Sequence, residues 1–141
     1  MIEHYTGSMF TSQAHGIICP VNGYGKITET IQEFINRYPH LELRYLEYCQ
    51  LNLLKPGKII VLTPERPFVI LFSIQYKTEA TRVDWIKNGL FELSELLKKN
   101  EQDPIRIALE PFGEQLSWTV IESFIQQYFA ASKNIIEIWS K

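Results

Sequence analysis

The residues best placed to do chemistry in this chain are Asn22-Gly23-Tyr24-Gly25-Lys26. A short apolar run, Gly16 to Cys19, stops at Pro20 just ahead of them. Thr28 follows and opens a run with Ile27, Ile31, Phe34, Ile35 and Tyr38 at helical spacing. A strand, a glycine loop and a helix in that order bring free backbone N–H groups and a helix N-terminus to one point. Such a point attracts phosphate or another anion. Glycine there lets the backbone approach a ligand closely. The same two glycines also suit a plain turn, in which Asn22 would bond its own backbone.

The other reactive side chains form no motif. His4 falls in a first strand, His15 just before the second and His40 at a helix start, so each reads as structural or exposed. Cys19 lies in an apolar run and Cys49 on a helix, both as core residues, with no metal-ligand spacing between them. Neither a metal nor a cofactor is implied. Trp85 and Trp118 sit at helix starts and read as packing residues.

The elements that must position the loop follow from periodicity. Ile2 to Thr6 and Gly16 to Cys19 read as strands, and Thr28 to Tyr38 as a helix stopped by Pro39. His40 to Leu51 makes a second helix, with Leu41, Tyr45, Tyr48 and Cys49 on one face. Lys55-Pro56-Gly57 is a turn. Lys58 to Leu62 and Phe68 to Phe72 are β-like and joined by a hairpin or a short crossover. Val83, Ile86, Leu90, Leu93 and Leu97 mark an amphipathic helix, with Asp84 where a capping-box acid would sit. Ile105 to Leu109 is a strand. Ser117 to Ala131 is a helix with Val120, Ile121, Phe124, Ile125, Tyr128 and Phe129 inward, and Ile135 to Trp139 is a last strand. Strands alternating with helices predict an α/β layered domain with a largely parallel or mixed sheet. Ligands in such sheets sit beyond the carboxyl ends of the strands. Three loops qualify: Pro20 to Lys26, Ser73 to Thr81, and Glu110 to Ser117.

A chain of 141 residues suits one domain, 1–141, around one core, and 45% hydrophobic residues can fill it. A net charge of -2 gives no general attraction to nucleic acid. No apolar run is long enough to cross a bilayer and no signal-peptide pattern is present, so no membrane partner and a reduced, cytoplasmic setting are expected. The oligomeric state is open.

The three loops and their flanks resemble a macro domain, the fold that binds ADP-ribose. The likeness is strongest to the branch with DNA ADP-ribosyl glycohydrolase antitoxins and terminal ADP-ribose protein glycohydrolases. It runs nearly end to end. Tyr5-Thr6-Gly7-Ser8-Met9-Phe10 resembles the first strand and its Gly-Asp-Leu turn. Ile18-Cys19-Pro20-Val21-Asn22-Gly23-Tyr24-Gly25 resembles the Val-Asn-x-Val-Asn loop, and Phe34-Ile35-Asn36-Arg37-Tyr38-Pro39 a helix end common in the branch. Gly57 to Val61 resembles the next strand, and Arg82-Val83-Asp84-Trp85-Ile86 with Gly89-Leu90 the long helix. Pro111-Phe112-Gly113 and Leu116-Ser117-Trp118 resemble the flanks of the second glycine loop.

The resemblance implies a three-layer α/β/α fold with a central mixed sheet and ADP-ribose or a related adenine nucleotide as ligand. It implies ligand contacts at Ser8, Met9, Asn22, Gly23, Tyr24, Gly25, Gln75, Gly113, Gln115 and Trp139. Asn22 would orient the distal ribose, Tyr24 could lie over a ribose or base, and Trp139 would stack on adenine. The chain departs from the family in three places. Ser8 replaces the aspartate that holds the adenine amino group. The second glycine loop shrinks to Gly113-Glu114-Gln115-Leu116, where Glu114 would repel a diphosphate. Gln75 falls at the branch's nucleophilic lysine and cannot form a lysyl adduct. Lys77, two positions on, would serve only if the loop shifts, with Glu114 as the acid or base partner. Binding with weak or no catalysis is therefore expected. The alternatives are a glycohydrolase acting on ADP-ribosylated DNA or protein, and an interaction domain that has lost the nucleotide.

Overall fold

Gly16 to Asn22 and Phe68 to Gln75 are nearly unbroken apolar runs, as strands covered on both faces require. The computed structural model describes residues 1–63, 67–77, 79–99, 102–113 and 116–141. Along them run β1 (Ile2–Thr6), β2 (Gly16–Asn22), α1 (Glu29–Arg37), α2 (Leu41–Gln50), β3 (Ile59–Leu62), β4 (Phe68–Gln75), α3 (Val83–Lys98), β5 (Arg106–Leu109), α4 (Trp118–Phe129) and β6 (Ile135–Ser140). A short 3-10 turn, Met9–Thr11, follows β1.

Among the described residues, six strands form one sheet in the order β1-β6-β5-β2-β4-β3. β2 pairs parallel with β4 and β5, and β6 pairs parallel with β5 and β1. β3 runs antiparallel to β4, with Ile59 opposite Phe72 and Leu62 opposite Val69. The sheet is mixed, and the β3–β4 connection is a hairpin rather than a crossover. The parallel strands bring their carboxyl ends to one edge, where the three expected loops lie.

Strand alternation splits the core into two layers. Ile17, Cys19 and Val21 of β2 pack with Ile31 and Phe34 of α1 and Leu41 and Tyr45 of α2. Ile18, Ile70, Phe72 and Ile107 face the opposite way, against Ile86, Leu90 and Leu93 of α3 and Ile121 and Ile125 of α4. The result is the expected α/β/α sandwich. Gly89 lets α3 sit close, since a β-carbon there would stand 2.4 Å from the Phe72 ring.

Two local expectations are corrected. Val120 is 40% exposed, because it lies about 100° around α4 from the buried Ile121. No capping box forms before α3: the helix starts at Val83 and its cap position, Arg82, makes no side-chain cap bond. The Thr81 hydroxyl is thus out of register for the cap, and Asp84 acts only as a first-turn acid that favours the helix dipole. Among the described residues, no helix is long and apolar enough to cross a membrane. None of their His, Cys, Asp and Glu side chains form a group of three that could hold a metal.

Candidate ligand-binding cleft

A cleft of about 660 Å³ opens at the carboxyl ends of the parallel strands. That volume falls in the range of small-molecule sites. Of the residues expected to contact a ligand, Met9, Asn22, Gln75, Gly113 and Trp139 line it. Ser8, Gly23, Tyr24, Gly25 and Lys77 are not among its lining residues. Glu114 and Gln115 lie outside the described residues.

The first loop is organised around Asn22, which is 2% exposed. Its Oδ1 accepts from Lys26 N at 3.0 Å, from Tyr24 N at 3.3 Å and from the Tyr45 hydroxyl at 2.7 Å. Its Nδ2 donates to Lys26 O at 2.7 Å. The Asn22 side chain therefore holds the loop closed, the role that a turn-forming Asn plays. Gly23 N donates to Gln75 O at 2.9 Å, which ties this loop to the end of β4. Gly25 has φ +88, so it supplies the left-handed residue of the turn.

The positive end of the helix that follows is partly answered within the chain. α1 starts after Thr28, whose hydroxyl accepts from Ile31 N at 3.2 Å, and Glu29 occupies the first turn. The anion point expected from the strand, loop and helix order is thus weakened by a cap and a carboxylate.

Other expected residues have local duties. The Ser8 hydroxyl accepts from Phe10 N at 3.2 Å and caps the Met9–Thr11 turn. Gln75 Nε2 donates to Glu79 O at 3.2 Å. Lys77 is exposed with φ +52, and its ammonium lies 5.3 Å from the centre of the Tyr76 ring. Gly113 has φ +79 and is closed in by methyl groups of Ile86 and Ile121.

Trp139 forms one wall and is held from behind. Its ring stacks on Tyr5 at 4.9 Å, and its Nε1 donates to Glu137 Oε1 at 3.0 Å. Glu137 also accepts from Ser12 Oγ at 2.6 Å and Arg106 Nη1 at 2.8 Å. Burial pushes the Glu137 carboxyl up, but these three donors outweigh it and hold it below the usual carboxylate range.

Against known proteins, no family model matches the chain, and no curated protein does. Solved structures do. The macrodomain of Thermus aquaticus DarG aligns with TM-score 0.86 at 18% identity, over 100% of this chain and 98% of that one. The macrodomain of Mycobacterium tuberculosis DarG aligns with TM-score 0.88 at 20% identity, over 100% of this chain and 98% of that one. The chain has the macro-domain fold. A Thermosipho africanus DarTG structure, solved in complex with ADP-ribose, aligns with TM-score 0.83 at 18% identity, over 99% of this chain and 42% of that one.

The macro-domain cleft also has a wall that the sequence did not single out. Glu29 and Glu33 of α1 line it, as do Glu110 and Lys141. Burial pushes the Glu110 carboxyl above its ordinary range, the charge of Lys141 draws it back, and the charge of Glu33 adds to the push. Lys141 Nζ stands 3.9 Å from Glu110 Oε2. The signals were present in part: Glu29 and Glu33 are four apart and share a helix face, and Glu110 directly follows β5.

Proposed function

We propose that this macro-domain cleft binds ADP-ribose or a related adenine nucleotide, with weak or no catalysis. The observation that carries the reading is the position of the cleft. It lies at the carboxyl ends of the parallel strands and is lined jointly by Met9, Asn22, Gln75, Gly113 and Trp139. The likeness to a structure solved with ADP-ribose supports the same ligand class. Thr30, Thr81 and Ser140 add neutral hydrogen-bonding groups suited to ribose hydroxyls, and Trp139 adds a stacking surface.

Weak or no catalysis rests on the lysine. Gln75 occupies the cleft, whereas Lys77 is exposed and off its lining. An exposed amine in water is not activated as a nucleophile.

Calorimetry on the full chain tests binding. Heat with ADP-ribose or adenosine at up to millimolar ligand is expected, and Trp139→Ala should weaken it at least tenfold. Silence from both ligands, with no thermal shift, would sink the reading. A turnover assay on ADP-ribosylated DNA and protein tests the second clause. Release of ADP-ribose that Lys77→Ala or Glu114→Gln lowers tenfold would instead establish the glycohydrolase alternative.

A further inference from the structure

The cleft itself, with its volume, its neutral hydroxyls and its Trp139 wall, is the site. The charge around it decides which ligand of a class fits. Among the described lining residues, Glu29, Glu33 and Glu110 stand against a single cation, Lys141, and no arginine is present. The carboxylates of Glu33 and Glu110 lie near enough to act on each other, although one is on α1 and the other follows β5. Both line the one cleft, Glu33 from an exposed position and Glu110 from a half-buried one. Among the described lining residues, the N-terminal end of α1 has one N–H taken by the Thr28 cap and Glu29 in its first turn, which offsets part of its positive potential.

We infer that the Glu29–Glu33–Glu110 wall makes this cleft select the less anionic members of its ligand class: a nucleoside without the diphosphate binds at least as tightly as ADP-ribose. The inference rests on the adenine-ligand reading above. A diphosphate entering the cleft meets the exposed carboxylates of Glu29 and Glu33 and the half-buried carboxylate of Glu110, and like charge repels it, most at low salt. An uncharged nucleoside keeps the stacking surface and the hydroxyl contacts and meets no such repulsion. Lys141 is 74% exposed and stands 3.9 Å from Glu110 Oε2, so the Glu110 charge already offsets part of this ammonium.

Salt gives a test that needs no variant. An ordinary phosphate site, built on cations, weakens as salt screens the attraction. Here screening weakens a repulsion, so ADP-ribose affinity should rise between 0.05 and 0.5 M NaCl while adenosine affinity stays within twofold.

The deciding experiment is calorimetry of the wild-type chain and of Glu29→Gln, Glu33→Gln and the triple variant with Glu110→Gln, each titrated with ADP-ribose and with adenosine. The single variants change exposed positions of α1 and should keep the fold, which circular dichroism checks. The triple variant should bind ADP-ribose at least tenfold tighter than wild type, with adenosine changed less than twofold. ADP-ribose bound more tightly than adenosine by wild type, or an unmoved ratio in the variants, would overturn the inference and leave the adenine-ligand reading intact. If neither ligand binds any of the proteins, the adenine-ligand reading falls, and the inference with it.

Discussion

Gly23 passes so close to Leu54 that a β-carbon on it would stand 2.2 Å from the Leu54 carbonyl oxygen. The obstacle is backbone and cannot swing aside as a side chain would. Gly23 is therefore needed where the first loop presses on the segment after α2, and the requirement is one of packing. Gly23→Ala should cost about 1–3 kcal/mol through overpacking. Urea denaturation would measure it, and a loss within 0.5 kcal/mol would show that the loop yields easily.

The same loop depends on Tyr45. This residue is fully buried, and its hydroxyl donates to Asn22 O at 2.8 Å and Asn22 Oδ1 at 2.7 Å. Tyr45→Phe should cost about 1–2 kcal/mol, since it removes the donor and leaves buried acceptors behind. Burial first, and then the neighbouring Cys49, push the phenol far above its ordinary value of 10.0. A raised acid favours its protonated form in the fold, so this contribution is complete below the unfolded value and declines as pH rises beyond it. Wild type should lose stability above pH 10 more steeply than Tyr45→Phe. Parallel slopes in alkaline denaturation would contradict this.

Much of this architecture is readable in the chain because local pattern and tertiary burial agree. β2 and β4 are apolar throughout because both faces are covered, and α3 shows its inward stripe at Ile86, Leu90, Leu93 and Leu97. Agreement fails at edges. Val120 is apolar yet 40% exposed, because the α4 stripe is narrower than its hydrophobic content. The site was legible in outline, since strand order alone sends ligands to the carboxyl ends. Its charge was not, because Glu33 and Glu110 meet only when α1 and β5 are placed around the sheet. The duty of Asn22 was also split between two readings by sequence. Its oxygen acceptors and amide turn out to be engaged with Tyr24, Lys26 and Tyr45.

Lys77 is held at φ +52, where a side chain is strained and glycine is not. Lys77→Gly should raise stability by about 0.5 kcal/mol, the relief of left-handed strain less the greater freedom glycine has when unfolded. Because Lys77 is exposed and off the cleft lining, ligand affinity should stay within twofold. A tenfold loss of affinity in this variant would bring Lys77 into the site.

Glu137 is a buried carboxylate held by three donors, and Trp139 depends on it. Arg106 Nη1 lies 2.8 Å from both Glu3 Oε1 and Glu137 Oε2, and Glu137 in turn orients the indole of Trp139. Burial opposes the charge on Glu137, while Ser12, Trp139 and Arg106 together stabilise it, so its carboxyl lies below the ordinary value of 4.5. A depressed acid contributes stability above its unfolded value and loses it as pH falls through the folded one. Glu137→Gln should therefore cost about 1.5–3 kcal/mol at pH 7, the range for hydrogen bonds to a charged group. The gap to wild type should begin to close as pH falls below 4.5, and close fully once pH has also passed below the lower value of the folded carboxyl. Ligand affinity should drop severalfold at pH 7, because Trp139 loses its fixed orientation. If Glu137→Gln matches wild type in urea at pH 7, or if the gap widens in acid, the carboxylate does not hold this wall of the cleft.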